Sequence, residues 1–221
     1  MCFEFLKSSI SKKQVVAVSG LLLIIFLIGH LAGNLLIYLG PESFNAYAKK
    51  LASLRPGLYV VEVGLLAVFL IHIFVTVLVV LENIRAAGIS RYAVSNSRGE
   101  RSWSTKLRVY TGLFLFAFII WHLLDFTFSD RYGARSIIGH KSLGLYGLVY
   151  NSFLNPIHSA LYILAMFCLG FHLAHGVQSC MQTFGFNHPK YSPMAKKVSN
   201  WFAFAITVGF SSIPVYVLIR G

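Results

Sequence analysis

The chain has 221 residues, of which 57% are hydrophobic and only 12% are charged, and its mean hydropathy is +0.70. Soluble globular chains carry about 25% charged residues, so this composition excludes an ordinary soluble domain and favours a membrane protein. The formal net charge of +12 would suggest a nucleic-acid partner in a soluble protein, but basic loops explain it in a membrane protein, and we expect no nucleic-acid binding.

Five apolar runs are long enough to cross the hydrocarbon core of a bilayer, which takes about 20 helical residues. In chain order they cover residues 15–39, 58–81, 107–128, 157–180 and 198–219. We interpret the first run as a span rather than a signal peptide, because it is too long and no small-residue cleavage site follows it. The sequence therefore predicts one all-α domain over residues 1–221, an integral membrane helical bundle with five transmembrane helices, in which we expect no internal repeat.

The segment between the first two spans predicts a short amphipathic helix at the membrane interface. Between two prolines, its apolar residues recur at helical spacing: Phe44, Tyr47, Leu51 and Leu54. Residues 129–156, between the third and fourth spans, are rich in Gly and Tyr and are expected to be ordered. Residues 85–108, between the second and third spans, form the most basic segment, which either sets the topology or docks a cytoplasmic partner.

Lysine and arginine are divided unequally between the two sides of the predicted bundle. If the N-terminus is cytoplasmic, 12 of them lie on the cytoplasmic side and 7 on the other side. The positive-inside rule therefore favours a cytoplasmic N-terminus and a C-terminus outside.

One histidine lies inside each of the first four runs, at His30, His72, His122 and His172. Ionisable side chains are costly at membrane depth, which makes these residues functional candidates, although any one of them alone is better explained by a hydrogen bond to a backbone carbonyl. Their depths match in pairs. His30 and His122 lie 15 residues after the starts of two helices that run outward, whereas His72 and His172 lie nine and eight residues before the ends of two helices that run inward. The two levels are expected to be roughly 9–10 Å apart.

Two imidazoles at one level on different helices suit axial ligation of a haem iron from both faces. Zinc needs four ligands, and a proton relay needs carboxylates interleaved through the core, which these spans lack. No C-x-x-C or C-x-x-C-H motif is formed by the three cysteines, Cys2, Cys168 and Cys180. Two haems b therefore explain the pattern best, a distal haem on His30 and His122 and a proximal haem on His72 and His172.

Other polar residues near these levels are candidates for further roles. His175 is a candidate for a propionate contact or an alternative inner ligand. Glu62 and Asp125 are candidate proton carriers for a quinone. Candidate contacts of the quinone or the distal haem are Asn34, Tyr38 and His158. Candidate partners of the haem propionates at the inner ends of the spans are Lys12, Lys13, Lys106 and Arg108.

The stretches "GHLAGN", "HLLDFTF" and "FHLAHG", together with the order of four histidines over five spans, resemble the cytochrome b membrane anchor of succinate:quinone oxidoreductases. The type they resemble is the single-polypeptide, five-helix, di-haem anchor of bacterial succinate dehydrogenases and fumarate reductases. The resemblance covers essentially the whole chain. It implies one haem held by His30 and His122 and another held by His72 and His172, in agreement with the pairing by depth.

The same resemblance implies partners, location and activity. A flavoprotein subunit would interconvert succinate and fumarate, and an iron–sulfur subunit would dock on the cytoplasmic face of the anchor in the bacterial inner membrane. The chain itself would not act on succinate but would pass electrons between the iron–sulfur subunit and a quinone, usually menaquinone in this type. Some two-haem fumarate reductases have a glutamate two residues before the last haem-ligating histidine. Gly170 stands there in this chain, which favours succinate oxidation.

Two other classes of protein stay open on the sequence alone. The cytochrome b anchor of a hydrogenase or formate dehydrogenase would share the haems but not the partner subunits. A helical transporter or structural bundle would hold no haem, and its histidines would carry protons or simply pack.

Overall fold

The computed structural model describes residues 8–86, 103–186 and 188–221. Helix accounts for 86% of these residues, so the fold is all-α as predicted. Cys2, the greater part of the basic segment after the second span and the side chain of Lys106 lie outside the described part of the chain.

Seven α-helices form the described part of the chain. In order they are α1 (Ser9–Leu35), α2 (Pro41–Ser53), α3 (Gly57–Ala86), α4 (Trp103–His122), α5 (Gly144–Leu154), α6 (Pro156–Thr183) and α7 (Ser192–Arg220). A 3-10 turn, Leu36–Leu39, extends α1, and a π-helical turn, Leu123–Thr127, extends α4. Five of the helices, α1, α3, α4, α6 and α7, are long and apolar enough to cross a membrane.

Five of the ten ends of the long helices lie three to six residues beyond the predicted spans, because hydropathy marks the apolar stretch whereas capping residues mark the helix. At the start of α1, the Ser8 side chain accepts a hydrogen bond from the Ile10 amide at 3.2 Å. At the start of α6, the Asn155 side chain accepts from the amides of Ile157 and His158 at 2.9 and 3.2 Å, and Pro156 occupies the first helical position. Polar caps thus define helix ends that the apolar pattern cannot locate.

The five long helices alternate in direction. We call the end where α1, α4 and α7 begin the N-terminal end of the bundle, and the opposite end the C-terminal end. Helix α1 packs on α3, α6 and α7, and α6 packs on α4 and α7 as well. Elsewhere apolar side chains face outward, and only 6% of the most apolar part of α3 is buried inside the protein. A helix that is apolar all round and exposed is typical of one that faces lipid.

The segments between the long helices form an ordered cap at the C-terminal end. The amphipathic helix predicted before Pro56 is present as α2, which buries Phe44 and packs on α5. Asn45 joins the two segments, since its Nδ2 donates to the Leu143 carbonyl at 2.8 Å and its Oδ1 accepts from the Tyr146 amide at 3.1 Å. A two-stranded hairpin, β1 (Ile137–Ile138) and β2 (Lys141–Ser142), precedes α5. Residues 129–156 are therefore ordered, as predicted, and contain elements that the sequence pattern did not reveal.

Candidate functional site

His30 of α1 and His122 of α4 meet in the interior of the bundle. Their ring centroids are 5.8 Å apart, and the ring planes are inclined at 87°. Metal–imidazole bonds are about 2 Å long, so two imidazoles on opposite sides of one metal ion have centroids about 6 Å apart. The observed separation suits a shared metal ion as well as an edge contact between two aromatic rings.

Aromatic side chains surround this pair. Phe26, one turn before His30, stacks on it at 5.3 Å and 18°, and Phe118, one turn before His122, stacks on it at 5.9 Å and 27°. The Tyr162 ring of α6 lies 6.0 Å from His122. Both imidazoles are therefore held in orientation by rings that exclude water from them.

The ring nitrogens of this pair have different partners. His122 Nδ1 is buried and has no hydrogen-bond partner among the described residues. Buried polar atoms are nearly always paired, so such a nitrogen is expected where its partner is a group that the polypeptide does not supply. His30 Nε2 lies 3.4 Å from Asn34 Nδ2, which also donates to the His30 carbonyl at 2.8 Å. Asn34 thus lies beside the pair, as predicted, and its amide turns away from Nε2 if that nitrogen binds a metal ion.

His72 of α3 and His172 of α6 form the second pair, nearer the N-terminal end of the bundle. His72 Nδ1 lies 3.0 Å from the Ser19 hydroxyl of α1, and His172 Nδ1 lies 3.5 Å from the Thr111 hydroxyl of α4. The two imidazoles interact electrostatically. Ser19 lies at the level of His72 and precedes His30 by 11 residues, which is about 16 Å of helix. This is longer than the roughly 9–10 Å predicted between the two levels of histidines. The side chains of antiparallel helices lean toward one another, which shortens the distance between the rings.

Two glycines bring the backbones of α1 and α4 close to this second pair. A Cβ atom would lie 3.3 Å from His72 Cε1 at Gly20, and 3.4 Å from His172 Cε1 at Gly112. The contact at Gly20 is tighter than ordinary van der Waals contact and the one at Gly112 is at its lower limit, so each imidazole lies against bare backbone. An open, mostly apolar groove of about 480 Å³ adjoins Ser19 between α1 and α3, on the outward-facing side of these helices.

The helices of each pair leave room between them. Within the described ranges, neither α1 and α4 nor α3 and α6 pack extensively on each other, so the histidines meet across the bundle interior. No group of three or more His, Cys, Asp or Glu side chains converges there either. A metal ion bound by either pair would thus take its other ligands from a cofactor, as a haem iron takes them from the porphyrin.

Basic side chains lie at the N-terminal end, next to the second pair. His175, one turn after His172, interacts electrostatically with Arg108 of α4, so the structure brings two of the residues predicted to bind propionates together. Lys12 is buried and forms an ion pair with Glu82 of α3. Of the described candidates, Lys13 and Arg108 are exposed cations that suit an added carboxylate, whereas Lys12 already has one.

A buried carboxylate organises the C-terminal end beside His122. Asp125 lies in the π-helical turn, is 8% exposed, and accepts hydrogen bonds from Arg135 Nη2 at 2.7 Å and the Tyr162 hydroxyl at 2.9 Å. His158 Nε2 lies 3.0 Å from Asp125 Oδ2, an ion-pair distance without hydrogen-bond alignment. We call these four residues the Asp125 cluster. The cluster joins α4, α6 and residues 129–156. Its members Arg135 and Tyr162 were not predicted from the sequence, although Tyr162 follows His158 by four residues, about one turn of helix.

The other two quinone candidates lie elsewhere. Glu62 is exposed on α3 and pairs with Arg55 at 3.4 Å. The Tyr38 hydroxyl donates to Ser212 Oγ at 2.6 Å and ties the end of α1 to α7. The structure therefore brings neither residue against a histidine of the two pairs, and their roles at a quinone stay predictions.

Gly170 has a packing role in this structure. A Cβ atom there would overlap the hydroxyl of Thr207 in α7, which donates to the Ala203 carbonyl at 2.8 Å. A glutamate at this position would displace α7. The glycine is thus required by helix packing, independently of any proton route.

Comparison with models of known protein families, with curated proteins and with solved structures finds no match. The family resemblance therefore rests on the quoted motifs and on the order of the histidines.

Proposed function

We propose that the chain is a membrane-embedded di-haem cytochrome b, the anchor subunit of a bacterial succinate:quinone oxidoreductase. The observation that carries the haem assignment is the meeting of His30 and His122, from different helices, at 5.8 Å in the bundle interior. The five apolar helices support location in a membrane. The motifs "GHLAGN", "HLLDFTF" and "FHLAHG" support the succinate-oxidising partner.

The residues present fit two haems. His30 and His122 would hold one, and His72 and His172 the other. A bound haem supplies reversible one-electron oxidation and reduction of its iron. The chain would contribute imidazole nitrogens from different helices, rings such as Phe26 that exclude water, and hydroxyl groups beside the Nδ1 atoms of His72 and His172, all of which would tune the reduction potential.

We place the quinone beside the Asp125 cluster. Reduction of a quinone consumes protons as well as electrons, so its site needs proton donors that reach the aqueous phase. Tyr162 and Asp125 lie next to His122, and the guanidinium of Arg135 is 48% exposed. The cluster therefore connects the first histidine pair to the surface through polar groups. Glu62 is the rival proton carrier, from the exposed face of α3.

The haem assignment is tested by a dithionite-reduced minus oxidised spectrum of the purified chain, with haem quantified per polypeptide. We expect two b-type haems, one lost in His30→Ala or His122→Ala and the other in His72→Ala or His172→Ala. His140→Asn is the matched control, because His140 is exposed in a loop at φ 67°, a conformation that Asn tolerates.

Two results would overturn the haem assignment. The first is a wild-type protein without haem from cells that make it. The second is a pattern of losses that pairs the histidines differently. Retention of both haems in His140→Asn shows that losing a histidine outside the pairs is harmless.

The partner assignment is tested by purifying the chain from its native membranes. We expect a flavoprotein and an iron–sulfur subunit to co-purify, and succinate to reduce the bound haem. Reduction by hydrogen or formate instead would assign the chain to another respiratory dehydrogenase. A colourless protein that purifies alone would be a transporter or a structural bundle.

A further inference from the structure

Two segments of the chain match each other, contrary to the expectation that nothing repeats. Residues 19–31 of α1 and 111–123 of the third span are identical at seven of thirteen positions. The identical pairs are Gly20/Gly112, Leu21/Leu113, Leu23/Leu115, Phe26/Phe118, Ile28/Ile120, His30/His122 and Leu31/Leu123. Each segment begins with a hydroxyl residue, Ser19 or Thr111, followed directly by glycine.

The matched positions also make matched contacts. In each segment the hydroxyl residue, Ser19 or Thr111, meets the histidine of the next long helix, His72 or His172. The glycine that follows lies against the same imidazole, at 3.3 Å in the first segment and 3.4 Å in the second. The phenylalanine of each segment stacks on the histidine of its own segment. A chance likeness between two apolar helices would not reproduce this set of contacts, so the shared pattern reflects a shared task.

The geometry at Ser19 determines which nitrogen of His72 carries a proton. The Ser19 hydroxyl lies 2.7 Å from the Val15 carbonyl, an acceptor, and donates its one hydrogen there. It can then only accept from His72 Nδ1, at 3.0 Å. The Val16 carbonyl, another acceptor, interacts with the same imidazole. His72 therefore carries its proton on Nδ1 and a lone pair on Nε2.

Thr111 repeats this arrangement on α4. Its hydroxyl donates to the Leu107 carbonyl at 3.0 Å and accepts from His172 Nδ1 at 3.5 Å. The Arg108 carbonyl interacts with the same imidazole. His172 thus has the same tautomer as His72, held by a longer and weaker contact.

We propose, on the basis of the haem-binding function proposed above, that Ser19 and Thr111 are positioning residues for the second haem. They hold His72 and His172 in the Nδ1-protonated tautomer, which presents both Nε2 lone pairs to one iron. An acceptor at the second ring nitrogen makes a metal-ligating imidazole more basic. Removing that acceptor weakens electron donation to the iron and raises the reduction potential of this haem, more for Ser19, with its shorter contact, than for Thr111.

The test is a redox titration of the α-bands of both haems in Ser19→Ala and Thr111→Val. We expect the potential of the haem lost in His72→Ala to shift upward in each variant, while that of the other haem stays unchanged. Ser19→Thr and Thr111→Ser, which restore a hydroxyl, should return the wild-type potential. The matched control is Ser199→Ala, because Ser199 is also buried but, among the described residues, its hydroxyl donates its hydrogen bond to the Ala195 carbonyl and not to a histidine.

The outcomes separate this inference from the function on which it rests. A wild-type chain without haem removes the function and this inference together. In a haem-loaded protein, unchanged potentials overturn the positioning role alone. Equal shifts of both haems, or the same shift in Ser199→Ala, would assign the effect to general packing and overturn the role too.

A second measurement reads the tautomer directly. Nitrogen-15 NMR of labelled histidine in the dithionite-reduced protein should show protonated Nδ1 and unprotonated Nε2 at His72 and His172, and in Ser19→Ala the Nδ1–H signal of His72 should shift. A proton on Nε2 of either histidine would overturn the inference, even if the variants fold poorly.

Discussion

Replacing Arg135 by Gln tests whether the Asp125 cluster is an electrostatic anchor. The guanidinium bonds to Asp125 Oδ1 at 2.7 Å and to Ser152 Oγ at 2.6 Å, and it is the one arginine in contact with this carboxylate in the described structure. Removing one partner of a fully buried ion pair costs about 3–5 kcal/mol. Arg135 is 48% exposed, and Tyr162 still donates to the carboxylate, so we expect a loss of about 2 kcal/mol, which is roughly 30-fold in the unfolding equilibrium.

The assay is equilibrium unfolding in mixed micelles with increasing dodecyl sulfate, followed by tryptophan fluorescence. Trp121 reports on the cluster directly, because its ring lies 5.3 Å from His158. Arg55→Gln is the control, since it breaks an ion pair in which both partners are exposed and should cost at most about 1 kcal/mol.

The decisive comparison is a double-mutant cycle with Asp125→Asn. Without the buried charge, Arg135→Gln should cost less than about 1 kcal/mol, because no carboxylate is then left without its cation. An equal cost in both backgrounds would refute the electrostatic reasoning and leave Arg135 with a packing role only.

Three further predictions concern other sites. Gly170→Ala should destabilise the protein by about 1–3 kcal/mol through overlap with Thr207, and Thr207→Ala should relieve part of this loss in a thermal unfolding assay. Glu62→Gln should slow quinone turnover with both haems retained in the spectrum, and unchanged turnover would remove Glu62 as a proton carrier. Glu82→Gln should destabilise the protein more than the double variant with Lys12→Met does, in the same unfolding assay, because the single change leaves the buried Lys12 ammonium without its carboxylate.

The sequence predicted the helices and the common depth of His30 and His122 because both depend on local properties. An apolar run of given length and a rise of about 1.5 Å per residue suffice to place His30 and His122 at one level. The amphipathic helix α2 was likewise readable from its periodicity. Whether these histidines bind haem is a separate prediction, which the proposed spectrum tests.

The partners of the histidines could not be predicted in the same way. Contact between Ser19 and His72 depends on how α1 is rotated about its axis, and α1 is apolar on most sides, so no polar face indicates the rotation. The Asp125 cluster depends on a π-helical turn, which adds a residue to the turn and changes the direction of the Asp125 side chain. Nothing in the periodicity of "HLLDFTF" indicates that turn.

The spacing within the two matched segments explains how one helix contributes side chains to both histidine pairs. Eleven residues separate Ser19 from His30, and eleven separate Thr111 from His122. At 3.6 residues per turn this is about three full turns, so the hydroxyl and the histidine project from the same face of the helix. Contacts with His72 and with His122 therefore fix the same rotation of α1. Helix α4 has the same spacing. The matched helices α1 and α4 therefore each place a hydroxyl residue beside the second histidine pair and a histidine in the first, whereas α3 and α6 each supply one histidine to the second pair.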